Sequence, residues 1–239
     1  MSSSPDTVPP SENEPLLGGP GDAIQKPNEP LVRNLWLGTG WLSLLGLALL
    51  LLQVLSAVST HPVLRLVTPH PVLQTVGLTT LVLAILILQP TSTAPAKLAG
   101  QRAHAILMAI TLVTFVAGIS VIETNKHVNH LPHLHSLHAY LGVIAGTFFL
   151  AQYVFGVLMW AVPGALGGEQ KAKSLWKYHR WGGYGFLVLI LVTVVSAADT
   201  DYAKKVLGVK VWGVALAAGL VVTGVFPRIQ VRKLGIQRG

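Results

Sequence analysis

The sequence contains no cysteine. That excludes disulfides, thiolate-ligated haem, iron–sulfur clusters and covalently attached c-type haem, and it leaves histidine as the residue for metal chemistry. Charge is nearly as scarce. Charged residues make up 11% of the chain, whereas a soluble domain carries roughly a quarter. The nine acidic residues all lie outside the long apolar stretches, and five of them precede residue 30. A protein of this composition has little with which to solvate a globular surface.

What the sequence has in abundance is long apolar runs. Six are near the 20 residues that a helix needs to cross a bilayer: roughly 35–58, 70–89, 103–122, 138–162, 177–198 and 206–226. The expected fold is therefore an all-α bundle of six transmembrane helices in the lipid bilayer. It forms one domain over residues 35–228, between an N-terminal tail at 1–34 and a basic C-terminal tail at 229–239. The opening MSSSPDTVPPSENEPLLGGPGDAIQKPNEP is rich in Pro, Ser, Gly and Glu, and such a segment is expected to be disordered. It lacks the basic and apolar regions of a signal peptide. Within it, ENEPLL places Glu12 four residues before Leu16 and Leu17, an acidic dileucine pattern that favours a vacuolar, lysosomal or other endomembrane location.

Lys and Arg set the orientation. With six spans, both tails share a side with the second and fourth loops, and that side holds twelve basic residues against five on the other. By the positive-inside rule both termini are cytosolic. The net charge of +8 is then a topology signal and gives no reason to invoke nucleic acid.

The nine histidines divide into two groups on this topology. His70, His104, His138 and His179 stand at the entries to spans 2, 3, 4 and 5, while His61, His127, His130, His133 and His135 fall in loops on the non-cytosolic side. Spans 2 and 4 run inward, so His70 and His138 share a depth near the outer face; spans 3 and 5 run outward, so His104 and His179 meet near the cytosolic face. Ionisable groups within a membrane are costly and mark functional sites. Two pairs of imidazoles with no carboxylate or thiolate nearby suit bis-imidazole ligation of a planar haem better than tetrahedral zinc. Gly142 and Gly146, four and eight residues after His138, and Gly183, four after His179, lie on the histidine faces and leave room for a macrocycle edge. His61 opens a second HPVL at 61–64, but Arg65 and Pro69 interrupt the run behind it, which favours His70.

Residues 35–230 resemble the eukaryotic cytochrome b561 transmembrane reductases. The resemblance rests on HPVL at 70–73 with Gly77, on His104, on SLHAYLG at 136–142, on YHRWGG at 178–183, and on histidine separations of 34, 34 and 41 residues. It is closest to the short members without an attached extracellular redox domain. The resemblance implies a six-helix protein whose central four helices clamp two haems b, with His70 and His138 on the outer haem and His104 and His179 on the cytosolic one. It also implies electron transfer from cytosolic ascorbate to monodehydroascorbate or to ferric or cupric ion on the opposite side, and it admits a homodimer. At the end of span 2, where many members carry an aromatic and basic motif implicated in ascorbate use, this chain reads LAILILQPTS. The implied donor is thus ascorbate or a related reductant.

An anionic donor needs cations beside the inner haem, and Arg102, Lys173 and Lys177 are the expected ones. His127, His130, His133 and His135 are candidates to dock an acceptor metal ion, or are a solvated polar loop. The alternative function is a metal ion transporter with a histidine-rich loop. Such carriers place Asp or Glu within their spans, and here even Glu123 is only at an edge.

Overall fold

The computed structural model describes residues 23–62 and 64–235, so the ENEPLL segment lies outside the described residues. These residues form six long helices and no strand: α1 (Gly40–Thr60), α2 (Pro69–Leu88), α3 (Ala94–Val128), α4 (Leu137–Ala161), α5 (Glu169–Ala198) and α6 (Val211–Val225). All six are long and apolar enough to cross a membrane, α6 together with the short turn that carries it on to Arg228. Below, "inner" denotes the end bearing both described chain ends, which the charge bias assigns to the cytosol.

Helices α3 and α5 are longer than their apolar stretches. Each starts ten residues before its histidine, at Ala94 and Glu169, so His104 and His179 sit in the third turn and not at a helix entry. The reason is local. Thr93 caps α3 by accepting from Ala96 N, Pro95 fits the first turn, and the Ala, Lys and Gln that follow are good helix formers. Hydropathy reports only the part of a helix that faces lipid.

The helices pack as three pairs. α2 lies along α3, α1 along α6 and α4 along α5, with α1–α2 and α5–α6 contacts joining the pairs and only sparse contact between α3 and α4. The α2–α3 and α4–α5 hairpins therefore face each other across the middle of the bundle. In lipid, apolar surface alone does not drive helices together, so close approach depends on small residues and interhelical hydrogen bonds. The α1–α6 seam shows both. Ser43 Oγ donates to Val221 O at 3.1 Å and Thr39 Oγ1 to Gly224 O at 2.9 Å. A Cβ on Gly224 would run into the Ser43 backbone.

The inner end is closed by polar stitching. Arg228, 1% exposed, donates to Asn34 O at 2.7 Å and Leu86 O at 3.0 Å, and the buried Asn34 donates to Ile87 O at 2.8 Å. Lys233 Nζ reaches Gln89 O at 2.8 Å and Thr91 O at 2.9 Å. All of these acceptors but Asn34 O cluster at or just beyond the C-terminus of α2, where carbonyls have no partner within the helix and a cation is favoured by the helix dipole. Residues 23–34 and 229–235 are thus bound to the bundle by a few polar side chains that serve one helix end.

Two glycines on α6 give a matched test. Gly224→Ala must push α1 away and should cost about 1–3 kcal/mol, lowering the thermal midpoint in detergent. Gly219→Ala meets nothing within 4 Å and should leave it unchanged or slightly raised. Equal midpoints for the two variants would contradict the tight α1–α6 seam.

Candidate functional site

Four histidines converge as two pairs. His70 and His138 bring their ring centres to 6.1 Å with the planes at 76°, and His104 and His179 bring theirs to 6.5 Å at 82°. Local capping sets the outer pair. Pro69 opens α2 immediately before His70, and Ser136 caps α4 by accepting from Ala139 N, which holds His138 in the first turn.

Three of the four rings are oriented by the backbone of the neighbouring helix. His70 Nδ1 donates to Gly118 O at 2.9 Å, His104 Nδ1 to Ala84 O at 3.0 Å, and His138 Nδ1 to Thr193 O at 3.0 Å. A carbonyl can only accept, so Nδ1 carries the proton and Nε2 keeps a free lone pair, the arrangement found in metal-binding imidazoles. Each acceptor also fixes a depth. Ala84 lies 14 residues beyond His70 on α2, Gly118 14 beyond His104 on α3, and Thr193 14 beyond His179 on α5. That spacing separates the pairs by about 21 Å along the helices.

The residues fit a haem. Two metal–imidazole bonds of about 2 Å, each followed by roughly 1 Å to the ring centre, put axial imidazole centres about 6 Å apart, close to both observed spacings. A third protein ligand, which zinc would need, is missing: among the described residues no three His, Asp or Glu side chains form a metal-holding group. The inner pair opens onto a cavity of about 520 Å³. Gly183 lines it, and a Cβ there would meet nothing within 4 Å; the same holds at Gly142, while Gly146 would meet only Ile119 Cδ1 at 3.6 Å. Gly142 and Gly183 thus leave open space.

Between the two levels lies an aromatic layer that sequence reading did not single out. Phe115 of α3, Phe149 of α4 and Phe186 of α5 are buried, with centres 5.3 Å apart for Phe115–Phe149 and 5.4 Å for Phe149–Phe186. No motif marks them, since a Phe in an apolar run is ordinary until the helices are placed.

Arg102, Lys173 and Lys177 are exposed at the inner end, with Lys173 bound to Glu169 and Lys177 over the Tyr178 ring, and none of them lines the cavity. The cations that do are Lys97, Arg180 and Lys233. Charge alone could not distinguish these, because every loop at that end is basic and Lys233 arrives only when the C-terminal segment folds back. The loop histidines His127, His130, His133 and His135 do not assemble into a metal site. His133 pairs with Glu123 at 2.6 Å and His135 with Pro132 O at 3.1 Å.

Burial, with Arg180 and Lys97 nearby, pushes the Lys233 ammonium down to about 8. Below pH 8 this side chain is charged both folded and unfolded, and the desolvation penalty is present in full. Between about 8 and the ordinary 10.5 the folded protein releases the proton first and the penalty fades. Wild-type stability relative to Lys233→Met should therefore rise across that window in thermal scans. A pH-independent difference would contradict a desolvated Lys233.

The family model described as eukaryotic cytochrome b561 matches residues 69–204, a stretch that contains all four paired histidines. A lysosomal membrane ascorbate-dependent ferrireductase of Danio rerio is 28% identical over 104 residues, covering 43% of this chain and 41% of that protein. No solved structure matches the chain. With more than half of its length matched by the family model, this chain belongs to the eukaryotic cytochrome b561 family, whose members are b-type haem proteins.

Proposed function

We propose that the chain is a transmembrane di-haem oxidoreductase, in which His70 and His138 would hold an outer haem b and His104 and His179 a cytosolic one. It passes electrons from cytosolic ascorbate or a related reductant to ferric iron or monodehydroascorbate on the opposite side. The observation that carries this reading is the pair of facing imidazoles at each of two depths. A haem bound at each level supplies a one-electron carrier there.

The chain's own residues do the rest. Backbone carbonyls hold Nδ1–H of three ligands and leave each Nε2 lone pair free to bind iron. Phe115, Phe149 and Phe186 keep the space between the levels apolar. Lys97, Arg180 and Lys233 gather positive charge at the inner cavity, where an anionic donor must approach, and Arg180 donates to Lys233 O at 2.8 Å, tying the C-terminal segment to α5. On the outer side, His133 and Glu123 offer an imidazole and a carboxylate near the end of α3. Ferric iron is favoured as acceptor because the Danio rerio relative is named a ferrireductase, and its lysosomal location agrees with the dileucine pattern at Glu12–Leu17.

Sealed vesicles test the direction. Ascorbate on the cytosolic side should reduce the bound haem, and an impermeant ferric chelate on the other side should reoxidise it; no reoxidation would contradict a path across the membrane. Within the same assay, Lys97→Gln with Lys233→Gln should slow reduction about 10-fold at low salt and flatten its ionic-strength dependence, with the haem spectrum intact. Arg102→Gln with Lys173→Gln should change little. The reverse ranking would restore the cations expected from sequence and remove the cavity from the donor path.

A further inference from the structure

The histidine pattern has one gap. His70, His104 and His138 each donate Nδ1–H to a carbonyl on the neighbouring helix. His179 Nδ1 is buried and has no partner among the described residues. A buried imidazole N–H left unpaired costs about 1–3 kcal/mol, and a metal-binding imidazole nearly always gives its second nitrogen to an acceptor.

The register points to where that acceptor belongs. On α2, α3 and α5, the residue 14 positions beyond the histidine supplies the carbonyl for a ring on the adjacent helix. On α4, the residue 14 positions beyond His138 is Gln152. This amide is a polar group within the apolar stretch GTFFLAQYVFG, and its Oε1 is also buried without a partner. One buried donor and one buried acceptor are thus left over on facing helices.

Local packing brings the two side chains to one place. Gln152 and His179 both line the inner cavity. Gly182, one turn beyond His179, has no side chain because the Gln152 amide fills that space: a Cβ there would collide with Nε2 and lie 2.9 Å from Cδ and 3.5 Å from Oε1. Gly156, one turn beyond Gln152, does the same for the imidazole, since a Cβ there would lie 3.0 Å from His179 Cε1, 3.6 Å from Nε2 and 3.8 Å from Nδ1. Each helix gives up a Cβ so that the other helix's polar side chain can lie between them. With Nε2 against the α5 backbone, Oε1 is the atom of the amide left to accept.

We propose that Gln152 is the positioning residue of the inner site, its Oε1 accepting Nδ1–H of His179 and holding Nε2 toward the iron. The proposal rests on the reading that His104 and His179 bind the cytosolic haem. It makes that haem different in kind from the outer one. Both outer ligands are held by backbone, which no substitution can alter, whereas one inner ligand is held by a side chain that can be exchanged for a stronger or weaker acceptor. A stronger acceptor draws the Nδ1 proton, makes the imidazole a better donor to iron and favours ferric iron. A missing acceptor does the reverse.

The test is redox titration of the purified haem-loaded full chain as wild type, Gln152→Leu, Gln152→Glu and His179→Ala, with the two haem components resolved spectroscopically. The inner component should shift to higher potential in Gln152→Leu and to lower potential in Gln152→Glu, while the outer component stays in place as an internal control. Retention of the inner haem should also fall, about 10-fold in Gln152→Leu. If Leu and Glu shift the inner potential in the same direction, or leave it unmoved, Gln152 is a packing residue and the proposal is overturned. If His179→Ala retains the inner component, the ligand assignment itself fails and the proposal falls with it. Should Gln152→Leu load no inner haem, the sign of the Gln152→Glu shift decides alone.

Discussion

An imidazole N–H inside an apolar bundle must find an acceptor, and this chain finds three of them in the backbone of adjacent helices. Those bonds fix more than ring orientation. His70 to Gly118 and His104 to Ala84 cross the α2–α3 seam at both ends, so that hairpin cannot slide without breaking two buried hydrogen bonds. The same seam is held between them by Thr80 with Thr111 at 2.8 Å and by Gln74 Nε2 donating to Phe115 O at 3.1 Å. Register along the helix and placement of the ligand are one constraint.

The bundle is otherwise built to leave a space. Pairing α2 with α3 and α4 with α5, and bracing both hairpins on α1 and α6, keeps the histidine-bearing faces apart and joins them in the middle through aromatic rings. α4 buries only Ala145, Phe149 and Met159, so most of its surface faces lipid or the space beside the histidines. Polar stitching at the inner end compensates for the thin packing. Arg228 and Lys233 tie the chain's flanking segments to the C-terminus of α2, and that places a desolvated ammonium at the mouth of the inner cavity.

Much of this was legible in the residues. Four histidines at regular separations on alternating spans already predict two pairs at two depths, because span direction alone decides which residues share a leaflet. The six helices were legible for the same reason, apolar length being a sufficient signal in lipid. What was not legible depends on tertiary placement. The extensions of α3 and α5 are polar and escape a hydropathy reading. Lys97, Arg180 and Lys233 are three among twelve basic residues on one side, and no local feature separates them from Arg102, Lys173 and Lys177. His127, His130, His133 and His135 are close in sequence, yet the loop holds His133 on Glu123 and His135 on Pro132 O and does not gather the four. Gln152 is visible as a polar residue in a span, but its partner is identifiable only from the orphaned Nδ1 of His179.

The central claim, that each facing pair holds its own haem, is tested most directly by haem quantification combined with single ligand removal. The wild-type protein should bind close to two haems b per chain by pyridine haemochrome. His104→Ala and His179→Ala should each lose the same spectral component, and His70→Ala and His138→Ala should each lose the other. Loss of one shared component by His104→Ala and His138→Ala, or a wild-type protein without haem, would contradict the account.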